Sequence, residues 1–166
     1  MKHMVTPLLL ALCLLVPVSA TATHSPGGGP GYDKVDGTVE DIFPSTLHVN
    51  AISNPDGTEA RGHLWYSANN PGFPFVVEVA GEVTCLRVAG NNATIGMRID
   101  RSKLPGFPGE GNGFLFYVSD YGEPGAGTPP DSHLDVPTAL PPTVCPVPIA
   151  FASPHDHGNF VVHDAT

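Results

Sequence analysis

The residues best suited to chemistry lie near the end of the chain, where His155-Asp156-His157 precedes His163. Imidazoles are common ligands for zinc and copper, and two His at i and i+2 on a strand project from one face. A turn at Gly158 would bring His163 to the same place, although nothing in the sequence fixes a third ligand. The same segment also reads as a polar loop feeding an edge strand. A second candidate is the acidic turn that holds Asp120, Glu123 and Asp131. Their oxygens suit calcium, a hard cation, but Asp, Asn and Gly also favour solvated turns in their own right. Asn54-Pro55-Asp56-Gly57 has part of a calcium loop and lacks its acidic series and distal Glu. Calcium, or zinc or copper, at these two places are the only cofactors the residues suggest.

Other catalytic patterns are missing from the sequence. There is no Gly-x-Ser-x-Gly elbow and no phosphate-cradling glycine loop. With 16 Asp and Glu, some two carboxylates could meet as in a glycoside hydrolase, but no spacing singles out a pair. Trp65, Tyr66, Phe73 and Phe75 form a candidate aromatic binding face, with core packing as the competing role. Asn92-Ala93-Thr94 matches a glycosylation acceptor, a tripeptide short enough to arise by chance.

The elements that must position these groups are set by composition. The 166 residues include 19 Gly and 19 Pro, too many helix breakers for a bundle or coiled coil, while 41% hydrophobic residues suffice for a core. The length fits a single domain. Seven Lys and Arg against 16 Asp and Glu argue against nucleic acid and anionic membranes as partners.

Residues 1–22 carry Lys2, the apolar run Leu8 to Val16, and small residues up to Ala20 and Ala22, the three-part form of a cleaved secretory signal. The apolar run is too short to span a bilayer. The expected mature protein is therefore extracellular, without a transmembrane segment, and has lost Cys13. Cys85 and Cys145 remain, and two cysteines in an exported chain usually pair. Two buried free thiols are the alternative.

Residues 23–31 lack an apolar pattern and read as a flexible leader; 32–166 read as one β domain. Strands are predicted around Val35–Phe43, Thr46–Ala51, Gly62–Ser67, Phe75–Val79, Glu82–Val88, Ala93–Ile99, Phe114–Val118, Ser132–Val136 and Gly158–Asp164. In Gly62–Ser67, Leu64 and Tyr66 lie opposite His63 and Trp65. The apolar phase slips near Cys85-Leu86, which suggests a bulge or burial on both faces. Residues 137–148 hold five prolines and Cys145, and read as an extended connection stapled to the domain. Eight to ten short strands without a helix predict an all-β fold, a single antiparallel β-sandwich or small barrel. If the final strand pairs with the first, it covers an edge.

The hairpin Val83-Thr84-Cys85-Leu86-Arg87-Val88-Ala89-Gly90-Asn91-Asn92-Ala93-Thr94-Ile95-Gly96 resembles a V-x-C-L-x-V-x-G-N-x-A-x-I-G pattern in a group of secreted bacterial proteins without assigned function. Asp33-Lys34-Val35-Asp36-Gly37, the turn at Asp120-Tyr121-Gly122-Glu123-Pro124-Gly125 and the ending Val161-Val162-His163-Asp164-Ala165 fit the same group. A weaker similarity, through Gly62-His63-Leu64-Trp65-Tyr66 and the acidic turn, is to small domains that accompany anchor segments in bacterial surface proteins. The resemblance implies export and a β fold, and carries no catalytic assignment. The expectation is a secreted, non-enzymatic binding or structural β-domain with an extracellular or surface ligand. A small secreted hydrolase or metal-dependent enzyme, and a non-catalytic metal-binding protein, are the alternatives.

Overall fold

The computed structural model describes residues 31–41, 45–69, 76–104, 106, 108–123, 128–150 and 157–165. Eight strands follow one another: β1 (Asp33–Asp41), β2 (Ser45–Ser53), β3 (Arg61–Ala68), β4 (Val77–Ala89), β5 (Asn92–Ser102), β6 (Gly113–Ser119), β7 (Ser132–Thr138) and β8 (His157–His163). They form one sheet in the order β7-β6-β5-β4-β3-β2-β1-β8, with every neighbouring pair antiparallel. The sheet curls on itself as a half-barrel, an all-β fold in one antiparallel sheet among the described residues. No helix among the described residues is long and apolar enough to cross a membrane.

Period-2 alternation explains the curl. Val35 and Val39, Leu47, Val49 and Ala51, and Leu64 and Tyr66 turn to the concave side. They meet Val79, Ile95, Met97, Ile99, Phe114, Phe116, Val118, Phe160 and Val162 in one core. Phe116 and Phe160 are fully buried there, and each such side chain stabilises the fold by about 1.5–3 kcal/mol through area removed from water.

The predicted strands Phe75–Val79 and Glu82–Val88 are one long strand, β4, running straight through Gly81. A Cβ at Gly81 would lie 1.8 Å from the Arg98 carbonyl oxygen, so only glycine allows this approach of β5. The register shifts there and again between Val83 and Cys85. The second shift is the phase slip seen in the sequence: it leaves Val83 and Leu86 in the core and sends Cys85 to the convex side.

Cys85 is disulfide-bonded to Cys145, with their Cα atoms 5.5 Å apart. The bridge holds residues 139–150, which carry no regular structure, against the convex face of β4 and β5. Thr84 Oγ1 donates to the Pro142 carbonyl at 2.5 Å, and Asn112 Nδ2 donates to that of Ala139 at 2.9 Å. Gly96 makes room for the staple, since a Cβ there would sit 2.6 Å from Cys85 Sγ and 3.1 Å from Pro142 Cβ. The proline-rich stretch is therefore a fixed arm.

Both ends of the sheet are protected against pairing with other chains. β7 carries Pro137, which cannot donate to a further strand. β8 pairs with β1 on one side, as the sequence allowed, and its other side is capped by carboxylates.

Candidate functional site

The acidic turn after β6 provides those caps. Asp120 Oδ2 accepts the Val162 N–H at 2.9 Å, and its Oδ1 accepts Gly122 N–H at 2.7 Å. Asp131 Oδ2 accepts Phe160 N–H at 2.6 Å, and its Oδ1 accepts Tyr121 N–H at 2.8 Å. Two further carboxylates fasten the chain nearby: Asp33 accepts Ala165 N–H at 3.1 Å and Asp164 accepts Gly90 N–H at 2.7 Å. Thus two of the three residues proposed for calcium converge, but each of their four oxygens already takes a backbone donor. Glu123 is exposed and lies outside this clamp.

Burial raises the pKa values of Asp131 and Asp33 above the ordinary carboxylate value, although backbone N–H groups stabilise their charged forms. A carboxyl with a folded-state pKa above its unfolded value favours the fold below the unfolded pKa, and loses that contribution as pH rises through the folded one. Between the usual aspartate pKa, about 3.9, and neutrality, the stability supplied by Asp131 therefore grows as pH falls. The expected result is that the melting-temperature gap between wild type and Asp131→Asn widens from pH 7 down to about pH 4.5. A gap that narrows over this window contradicts the assignment.

Of the histidines proposed for zinc or copper, the two described, His157 and His163, do not come together. His157 and His163 begin and end β8 on its convex face, and His155 lies outside the described residues. No group of three or more metal-ligating side chains occurs among the described residues. On the concave side, the buried Tyr66 and His133 and the partly exposed Asp135 form a polar patch at the β7 edge of the core. Tyr66 Oη points at Asp135 Oδ1 over 3.4 Å, and His133 Nε2 lies 4.0 Å from the same oxygen. The Tyr66 ring packs on Phe114, Phe116 and His133, which makes this patch part of the core packing.

The predicted aromatic face divides. Tyr66 turns inward, its neighbour Trp65 turns outward, and Phe73 and Phe75 lie outside the described residues. Trp65 instead belongs to a groove on the convex face of β1, β2 and β3, with a volume of about 320 Å³. Its walls are two cross-strand rows. One is Asp36–Asn50–His63 and the other is Thr38–His48–Trp65, each made of residues directly opposite one another.

Cross-strand contacts fix both rows. Asn50 Nδ2 donates to Asp36 Oδ1 at 3.1 Å, and Lys34 Nζ approaches Asp36 Oδ2 at 3.3 Å. Thr38 Oγ1 and His48 Nδ1 share a 2.5 Å hydrogen bond. The His48 ring lies 5.3 Å from that of Trp65, tilted by 45°. From the neighbouring strand, Glu78 accepts Lys103 Nζ at 2.6 Å; this lysine first, with a smaller contribution from the Trp65 indole, holds the Glu78 carboxyl below its ordinary range. The indole thus has an imidazole packed on one side. Such an arrangement offers an aromatic surface bordered by amide, hydroxyl, imidazole and carboxylate groups, all with hydrogen-bonding capacity toward solvent.

Sequence reasoning named Trp65 and missed its partners. The signal was present in the polar halves of three alternating strands, Asp36/Thr38, His48/Asn50 and His63/Trp65, but only the register puts them side by side. No family model, no curated protein and no solved structure matches this chain.

Proposed function

We propose that this protein is an exported β-domain that works by binding a ligand outside the cell, through the convex groove of β1–β3. The observation that carries the reading is the placement of the chain's single tryptophan, Trp65, on an outward strand face where it lines a groove beside the His48 ring rather than packing in the core. An indole is costly to leave in water unless it contacts something, and half-buried aromatics ringed by polar groups are typical anchors of binding sites. The signal-like segment 1–22 and the paired cysteines support an oxidising, extracytoplasmic setting. The enzyme and metal-carrier alternatives draw less support, because the converging carboxylates are spent on backbone donors.

The test is an array of immobilised glycans, peptides and lipids probed with wild type and with Trp65→Ala. Wild type is expected to retain at least one ligand class, and Trp65→Ala to weaken that retention about tenfold. Equal retention by both proteins, no retention of any class, or release of reaction products from the array overturns the reading.

A further inference from the structure

We propose that the Trp65 groove binds neutral saccharides, recognising one or two pyranose rings; the inference rests on the binding role assigned above. Its dimensions come from the strands. Two rows two residues apart along a strand are separated by about 7 Å, and three strands span about 10 Å across. A patch of that size accommodates one or two hexose rings laid flat, and is short for a peptide, which would need an extended run of unpaired backbone or several pockets.

The chemistry agrees. A pyranose presents axial C–H groups on its faces and hydroxyls around its rim. The Trp65 indole supplies a flat, electron-rich surface for the C–H face. The rim meets Asp36, Asn50, Thr38, His48 and His63, which together provide acceptors and donors along the groove. These groups are preorganised by the Asn50–Asp36 and Thr38–His48 hydrogen bonds, so little side-chain entropy remains to be lost on binding. No Lys or Arg lines the groove among the described residues; Asp36 is its one carboxylate, and Lys34, at its edge, pairs with Asp36 at 3.3 Å. Nearby, Arg98 is engaged by Glu82 and Asp100 at 2.9 Å each. With a formal net charge of −9 on the whole chain, acidic ligands are repelled and neutral polyols are favoured.

Trp65 reports directly on the groove, because no other tryptophan contributes to emission. The full chain without its signal-like segment is titrated with neutral hexamers of β-1,4-glucose, β-1,4-N-acetylglucosamine and α-1,4-glucose, and with hexagalacturonate as the acidic control. At least one neutral hexamer is expected to shift or quench Trp65 emission with a Kd below about 5 mM, and to bind about tenfold tighter than hexagalacturonate at low salt. Calorimetry then compares variants, since Trp65→Ala lacks the reporter. Trp65→Ala is expected to bind about tenfold more weakly, Trp65→Phe to recover part of the loss, and Asn50→Ala, which keeps the fluorophore, to weaken binding about threefold.

Absence of any emission change or heat with the neutral sugars overturns the proposal, as does tighter binding of hexagalacturonate. If the array instead shows Trp65-dependent retention of peptides, the saccharide assignment falls and the binding role of the face stands. If retention ignores Trp65 altogether, both fall.

Discussion

Replacing Cys85 and Cys145 together with alanine is expected to lower the unfolding free energy by about 4 kcal/mol, because the bridge closes a 60-residue loop that the unfolded chain otherwise explores freely. For a domain of this size that corresponds to a fall in melting temperature on the order of 15 °C. The structure adds a second consequence. Without the bridge, the arm 139–150 is held among the described residues by side-chain contacts such as Thr84 to Pro142 and Asn112 to Ala139. Hydrogen exchange in the variant should therefore rise first on the convex face of β4 and β5, where Thr94 and Gly96 are buried beneath no strand of the sheet. A reductant should reproduce both effects in wild type. A melting temperature within about 3 °C of wild type would mean that the arm is held by packing and the bridge is incidental.

Asp131→Ala has the next largest expected effect. It leaves the Phe160 and Tyr121 N–H groups without their acceptor in a buried seam. Hydrogen bonds to a charged partner contribute about 1.5–3 kcal/mol each, and relief of the desolvation that raises the Asp131 pKa returns part of that sum. A net loss of about 2–4 kcal/mol is expected. Asp131→Asn should fall between alanine and wild type, because one of its two positions becomes an N–H₂ facing an N–H donor. The loss should be local as well as global. Amides of β8, Val162 among them, should exchange faster than those of β2 and β3, whose ladders do not touch the clamp. Uniform exchange across the sheet, or a loss under about 0.5 kcal/mol, would show that the β1 ladder alone secures β8.

These two devices mark the boundary of what the sequence could convey. The strands were legible because period-2 alternation is a local signal: Ala93, Ile95, Met97 and Ile99 announced β5 without any knowledge of neighbours. The Cys85–Cys145 pairing followed from the count of two cysteines left once residues 1–22 are read as a signal. The break expected at Gly81 was misread, since glycine there serves the close approach of Arg98 on β5 rather than a turn. The acidic turn reads in the sequence as a place where Asp120, Glu123 and Asp131 converge on calcium, but Asp120 and Asp131 instead accept backbone N–H groups of β8, some 30 to 40 residues further on, which only the curl of the sheet brings near.

The groove shows the same limit from the other side. His48, Asn50, His63 and Trp65 each fell on the polar face of a predicted strand, and Tyr66 fell on the apolar one. Which polar residues become neighbours depends on pairing Leu47 with Tyr66 and His48 with Trp65, and a one-residue slip would have scattered them. Register is set jointly by the core and the turns, so no single segment carries it.

The binding role of the β1–β3 face is tested most directly by mapping backbone amide shifts during titration of the full chain, without its signal-like segment, with the neutral hexamer that changes Trp65 emission most. The account predicts saturable shifts concentrated at Asp36–Thr38, His48–Asn50 and His63–Trp65, and little change at Tyr117–Ser119 on β6 or Ser132–Asp135 on β7. Shifts centred on the concave patch of Tyr66, His133 and Asp135, or on the arm at 139–150, would contradict it.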